Sequence, residues 1–485
     1  RYKFKKIFAN VSKVLDQNVF SSLEKDFTDL VGEYYSLKKI NTILEKIDDI
    51  SEEKELQFIN HGILETLDQD GIEVKKNIFE GKKLIVERIS ITGNSVTNDS
   101  VIRGELKIDE GDPYSALLVN KSLNHIKSRN IFGSVDIQQS KGSKEDLTNL
   151  NIVVTEKATG EIMAGVGIGT EGTTMQAAVS ENNWLGKGIK LQSGLNLSAE
   201  KVSGSISVND PNYKFTGNQV YGSIQASSTD KATTTGYESS RTGISLGTSY
   251  EQWKDIFFSP SLSVAFEDIE AGSGSTASVK AMEGNFFNAD FEYGLTFDKR
   301  NQVFKPTSGY VSTFSQSIPI IQDSSSLSNS YRLSRYHGFS DDVIGSLKFL
   351  GKTIHGIDDD VRLTNRLYMP GNSLRGFKSG KVGPKDGNSY VGGNYLTAIN
   401  AEAELPNLLP ESYKTDISLF LDAGNVWSVD YNESLDDSST IRSSIGIGAN
   451  LYTVVGPLSF TFAQAITSAK TDQTERFNFR LGTSF

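Results

Sequence analysis

From about Gly160 to the C-terminus, apolar and polar residues alternate in short runs separated by clusters of Gly, Asn, Asp and Ser. GIKLQSGLNLS, TGISLGTSY, SPSLSVAFED, TDISLFLDAG and PLSFTFAQAI are typical. Period two sends successive side chains to opposite faces of a strand. About 16 such runs can be counted, an even number within the range of outer-membrane barrels. In the last, FNFRLGTSF, Phe477, Phe479, Leu481 and Phe485 share one face, while Asn478, Arg480, Gly482 and Ser484 share the other. Aromatics on one side and polar groups on the other is a lipid-facing pattern. A soluble sandwich would alternate too, but roughly 325 residues exceed a usual single sandwich. The second face also carries Ser, Thr, Gly, Asn or Arg on nearly every strand. The pattern favours a 16-stranded antiparallel transmembrane β-barrel over 159–485.

Residues 1–158 read differently. LIVERISITGN (Leu84–Asn94) alternates as a strand, and Asp99–Leu106 and Ser115–Asn130 have helical spacing through Leu118, Leu123 and Ile126. SVDIQQS and LNIVVTEK then return to strand. The preceding stretch repeats the order: Lys3–Val11 as a strand, Ser21–Leu30 and Leu37–Ile47 as helices, and two strand-like runs between Gly62 and Lys83. The reading is two small α+β domains, 1–83 and 84–158, each strand-helix-helix-strand-strand.

Composition narrows the function. The 485 residues carry a net charge of −11, so a nucleic-acid partner is not expected. Mean hydropathy is −0.32, and no apolar run reaches the ~18 residues of a membrane-spanning helix. Strands that alternate can still cross a membrane at this hydropathy. Cysteine is absent. No leader precedes Arg1, which reads as a mature or shortened chain. GVGIG (Gly165–Gly169) lacks both the spacing and the following helix of a nucleotide loop. It reads as a barrel strand weakened by glycine. His61, His125, His337 and His355 have no metal-ligand spacing, and Asp358–Asp360 reads as a solvated run. No nucleophile–base pair or carboxylate pair stands out. Neither an enzyme nor a cofactor or metal is expected.

What remains are charges set beside strand residues. SLRGFKSGKVGP (Ser373–Pro384) places Arg375 in a long loop, about 356–391. In SLFLDAGNVW, Ser418, Phe420 and Asp422 share a strand face, and Glu402 lies one strand earlier. If that face is the lumen, Arg375 could stack on Phe420 and pair with Asp422 and Glu402. Spacing alone equally allows unrelated solvated charges.

LYMPGNSLRGFKSGKVGPKDGNSYVGGN resembles the inward loop of the outer-membrane protein assembly factors of the BamA type, with its Arg-Gly-Phe core at Arg375, Gly376 and Phe377. FLDAGNVW, GPLSF and the aromatic last strand are similar to motifs of the same family. So is DKRNQVFKPTSG, with Asp298 and Arg300 in its strand motif. Met369-Pro370-Gly371-Asn372 stands where the family usually has Gly-Gly. The paired N-terminal repeat resembles polypeptide-transport-associated (POTRA) domains, of which relatives often carry five. The resemblance implies a barrel in the bacterial outer membrane, POTRA domains in the periplasm, and Arg375 tucked into the lumen against Phe420 and Asp422, with Glu402 nearby. It also implies insertion of other barrel proteins. Unfolded outer-membrane barrel clients, accessory lipoproteins and outer-membrane lipid would be the partners.

A barrel closes by pairing its first and last strands, and an opened edge can template another strand. The seam is therefore expected between the strand bearing Gly165, Gly167 and Gly169 and the strand bearing Phe477, Phe479 and Phe485. The rival reading is a two-partner secretion pore exporting one dedicated protein. It shares the barrel, two POTRA domains and an Arg-Gly loop.

Overall fold

The structure is a computed structural model. It describes residues 2–12, 17–35, 40, 43–44, 46–47, 50–51, 54, 59–68, 71–80, 83–170, 172–232, 236–273, 275–303, 305–323, 325–340, 343–406, 415–435, 440–453 and 456–482. They form two compact units, one of 1–159 with 182–188 and one of 160–181 with 189–485.

The first unit holds one topology twice. Strands β1 (Phe4–Val11), β2 (Ile59–Asp68) and β3 (Gly71–Glu80) form a sheet in the order β1-β3-β2, with β1 parallel to β3. Strands β4 (Ile85–Thr92), β5 (Phe132–Lys141) and β6 (Leu147–Glu156) repeat it as β4-β6-β5, with β4 parallel to β6. A parallel pair cannot be joined by a tight turn, so the helices between the first and second strands form the crossover. In the second domain these are Asp99–Arg103 and Ala116–Ser128, the latter started by Ser115, whose side chain accepts from the Leu118 amide. Thr148, Leu150, Ile152 and Val154 alternate inward along β6. Leu150, Ile152 and Val154 pack there with Val86, Ile102 and Ile126.

Element types agree with the periodicity, and the boundaries shift. The Asp99–Leu106 helix stops at Arg103, and β2 begins at Ile59 rather than Gly62. Of Leu37–Ile47, residues 40, 43–44 and 46–47 are helical and the others lie outside the described residues. The division between units falls after Thr159, and 182–188 group with the first unit.

Glu156 ends β6 by gathering a loop. Its carboxylate accepts from the amides of Ser95, Val96 and Thr97 and from the Ser95 hydroxyl, at 2.6–3.1 Å. Burial alone raises this carboxyl, but those hydrogen bonds outweigh it and hold the group down at about 2. A depressed folded-state value stabilises the fold above the unfolded carboxyl range. That stability disappears as pH falls through about 2. Glu156→Gln should therefore lower the urea midpoint of this unit at pH 7, with the gap to the parent closing by about pH 2. A pH-independent gap would assign the loss to packing instead.

The second unit is a closed barrel of sixteen strands. They are β7 (Gly160–Gly169), β8 (Gly172–Trp184), β9 (Ile189–Ser198), β10 (Lys201–Asp210), β11 (Gln219–Lys231), β12 (Tyr237–Trp253), β13 (Ile256–Ala271) and β14 (Gly284–Asp298). These are followed by β15 (Gly309–Gln322), β16 (Ser326–Gly338) and β17 (Ile344–Gly356). A two-residue-strand hairpin, β18 (Lys385–Asp386) and β19 (Ser389–Tyr390), interrupts the series inside one long loop. The wall resumes with β20 (Tyr395–Leu405), β21 (Thr415–Trp427), β22 (Arg442–Thr453), β23 (Gly456–Thr467) and β24 (Phe477–Leu481).

Closure satisfies the backbone without a free edge, which is what allows strands to lie in lipid. No helix among the described residues is long and apolar enough to cross a membrane, a statement that does not bear on strands. The faces alternate as the sequence predicts. On β21, Leu419 and Leu421 are exposed while Phe420 and Asp422 are buried. GVGIG lies inside β7, as a wall strand.

Candidate functional site: the inward loop and the barrel seam

Between β17 and β20 the chain turns inward. Arg375 meets Asp422 through two parallel bonds, Nε to Oδ2 and Nη2 to Oδ1, both 2.8 Å. Its backbone amide donates to the same carboxylate at 3.0 Å, and Nη1 donates to Glu402 at 2.9 Å. The guanidinium carbon sits 3.5 Å from the centroid of the Phe420 ring. The planar fork matches a carboxylate and also stacks on an aromatic face, which a lysine could not do. Glu402 and Phe420 are register partners on β20 and β21, so adjacent strands present both groups to one point. Asp422 is fully buried. A charge buried this way is costly unless paired, and Arg375 supplies three hydrogen bonds to it.

The rest of the motif fixes the approach. Gly376 has φ +91°, and a Cβ there would lie 3.1 Å from Ala463 Cβ and 3.2 Å from Ser444 Cβ. Any other residue would meet both backbone strain and the wall. Phe377 is buried with Met369, Leu374, Val382, Leu396, Ala398 and Val426. Met369-Pro370-Gly371-Asn372 closes locally, with the Ser373 amide donating to the Pro370 carbonyl at 3.0 Å.

The loop is also tied to the segment leading into β24. The Lys378 amide donates to the Gln473 carbonyl, the Gln473 amide to the Lys381 carbonyl and the Glu475 amide to the Gly376 carbonyl, at 2.9–3.1 Å. Arg442 and Asp472, both with fully buried side chains, hold that segment to the start of β22 at 3.0 Å. Arg362 pairs with Glu267 and Arg366 with Asp430 further along the loop. None of these three pairs was legible in the sequence. Their members are 30 to 95 positions apart, and no local spacing marks them.

Among the described residues the seam is short. There β24 and β7 share two register pairs, Arg480↔Gly169 and Leu481↔Ile168, whereas β7 and β8 run in register from Gly160↔Glu181 to Gly169↔Gly172. The Thr170 amide adds one bond to the Phe479 carbonyl at 3.1 Å. Of the expected seam residues, Gly169 lies in this ladder. Gly167 lies beside Gly482, where a Cβ would reach within 2.7 Å of the Gly167 Cα, and the position this register sets opposite Gly165 lies outside the described residues. Phe477 and Phe479 pair with Phe462 and Phe460 of β23, and Phe485 lies outside the described residues. Within the described residues β24 ends at Leu481. Gly482 follows with φ +132°, and a Cβ there would sit 2.5 Å from the Val166 carbonyl oxygen.

Asp298 and Arg300 are not drawn to the loop. They pair with each other at the end of β14, Nη2 to Oδ2 at 2.6 Å, at the turn into β15.

Comparisons with known proteins agree with this geometry. A family model described as the Omp85 superfamily domain matches residues 183–485, and one described as a POTRA surface antigen variable number repeat matches 84–157. The chain is 25% identical over 526 aligned residues to the outer membrane protein assembly factor BamA of Neisseria meningitidis, covering 96% of this chain and 65% of that protein. It is 25% identical over 422 residues to the BamA of Neorickettsia risticii, covering 85% and 57% respectively. The chain thus spans less than two thirds of the length of these relatives. Among solved structures, BamA from Haemophilus ducreyi lacking POTRA domains 1–3 superposes with a TM-score of 0.73 at 20% identity, each chain wholly covered. CdiB from Escherichia coli gives 0.61 at 13% identity, covering all of this chain and 90% of that one.

Proposed function

The chain belongs to the Omp85 superfamily, and from that premise we propose that it is the barrel and adjoining POTRA portion of an outer-membrane protein assembly factor. It would fold and insert other β-barrel proteins at the β7–β24 seam, with the barrel in a bacterial outer membrane and the POTRA domains in the periplasm. The observation that carries the reading is the β7–β24 seam, which among the described residues has two register pairs, fewer than any other junction of the wall. Each backbone hydrogen bond contributes on the order of 1 kcal/mol net in water. Over the described residues this ladder therefore takes less to part than any other pair of neighbouring strands in the wall.

A parted seam leaves two strand edges unpaired. An incoming client strand can pair with one of them, so its own amides and carbonyls never face lipid unsatisfied. No catalytic residue is needed. The loop supports this role by bracing the lumen through Arg375, while its bonds to 473–475 hold the approach to β24. The POTRA sheets offer strand edges to which an extended client segment can add. Unfolded barrel clients, accessory lipoproteins and outer-membrane lipid are the partners this reading assigns.

The chain reconstituted in phospholipid vesicles should speed the folding of a urea-denatured outer-membrane barrel over protein-free vesicles, read as heat-resistant electrophoretic migration. Steady large conductance with no acceleration of folding would favour the secretion-pore reading, to which the CdiB superposition lends its fold.

A further inference from the structure

The outer wall carries a cationic groove that neither the loop nor the seam uses. Its orientation follows from register. Phe420 and Asp422 meet Arg375 in the lumen, so Leu419 and Leu421 point outward. Opposite them on β20 are Ala403 and Ala401. Opposite those on β17 are Gly345 and Leu347, and opposite those on β16 are His337 and Arg335. These side chains line an apolar trough of about 500 Å³. The small residues Ala401 and Ala403 form its floor, Leu347, Leu419 and Leu421 rise beside it, and the Phe339 ring covers Gly345.

Arg335 and His337 close one end of the trough. Both are exposed. Arg335 has no ion-pair partner among the described residues, and His337 stacks edge-on against Phe339, 4.9 Å between ring centroids. No other Lys or Arg occupies an outward position on β16, β17, β20 or β21. The hairpin joining β16 to β17 lies at the barrel end where the chain begins β7, opposite the long loop. An aromatic belt marks this level, since Tyr310 is the register neighbour of Arg335 and packs 5.5 Å from Phe297.

We infer that this groove binds one anionic phospholipid, with its phosphate on Arg335 and His337 and one acyl chain running past Phe339 along Ala401 and Ala403. The inference rests on the membrane-barrel reading above. An isolated guanidinium at the lipid boundary is the group an anionic headgroup neutralises, and the trough below it takes a chain but no polar ligand. The bound lipid would fix the bilayer against the wall three to six strands from β24.

The test places a reporter in the groove. Leu347→Trp is introduced with Trp184, Trp253 and Trp427 each changed to Phe, and the full chain is reconstituted in phosphatidylcholine vesicles. Brominated phosphatidylglycerol should then quench the Trp with about fivefold preference over brominated phosphatidylcholine, the weight of one basic side chain near an anionic lipid. Arg335→Gln with His337→Gln should remove the preference, while Arg335→Lys should keep most of it; heat-modifiable migration checks folding of each variant. Equal quenching by both lipids, or a preference that survives the double substitution, overturns the site and leaves the barrel reading standing. Quenching by neither lipid overturns both, because the wall would then not face the bilayer.

Discussion

Locking Ile168 to Leu481 with an engineered disulfide should abolish client insertion, and reduction should restore it. The two residues are register partners across the seam. Antiparallel partners have Cα atoms about 4.5–5.5 Å apart, within the reach of a disulfide. The chain has no cysteine of its own, so the introduced pair can form one bond only. The effect is expected to be complete because a covalent link replaces a ladder worth only a few kcal/mol while leaving the rest of the wall untouched. Folding of the protein itself is checked by its heat-modifiable migration. A fully cross-linked barrel that inserts clients at the parent rate would remove the seam from the mechanism.

Reversing the loop charge should be nearly as severe. Arg375→Asp would bring a third carboxylate to Asp422 and Glu402, in a place where Asp422 has no exposed surface. Breaking a buried pair typically costs about 3–5 kcal/mol, and the reversal adds repulsion. The loop is then expected to leave the lumen, so that trypsin cuts at Lys378, Lys381 or Lys385, with assembly lost in parallel. Asp422→Arg alone should fail as well. The double swap should recover part of both readouts, through a coupling of about 0.5–3 kcal/mol. Two single effects that simply add would mean the pair is not a unit. Proteolysis separates a displaced loop from a chain that never folded, because the latter is cut throughout.

These two predictions stand differently toward the sequence. The loop pairing was within reach, since Phe420 and Asp422 share a strand face by parity alone and Arg375 was one of several cations in the adjoining long loop. Choosing between pairing and three solvated charges still required knowing that this face is the lumen. The seam was less legible. Barrel closure requires first and last strands to meet, and glycine content pointed to β7. Of its glycines, Gly169 meets β24 in register and Gly167 lies beside Gly482. Which residues of two strands lie opposite each other depends on shear around the whole barrel, and no local pattern encodes it.

What the sequence determined by itself is everything that depends on neighbours along the chain. Period two set the strands and their two faces, helical spacing set the crossovers, and repetition of that order set the two N-terminal domains. What only the tertiary structure decided is which distant groups meet. Arg442 and Asp472 are 30 residues apart and Arg362 and Glu267 are 95 apart, brought together by closure of the sheet and return of the loop. The reach of β24 along β7 and the cationic groove on the outer wall belong to the same class. Strand register relays position around the barrel one pair at a time, so such meetings are fixed by the closed sheet as a whole.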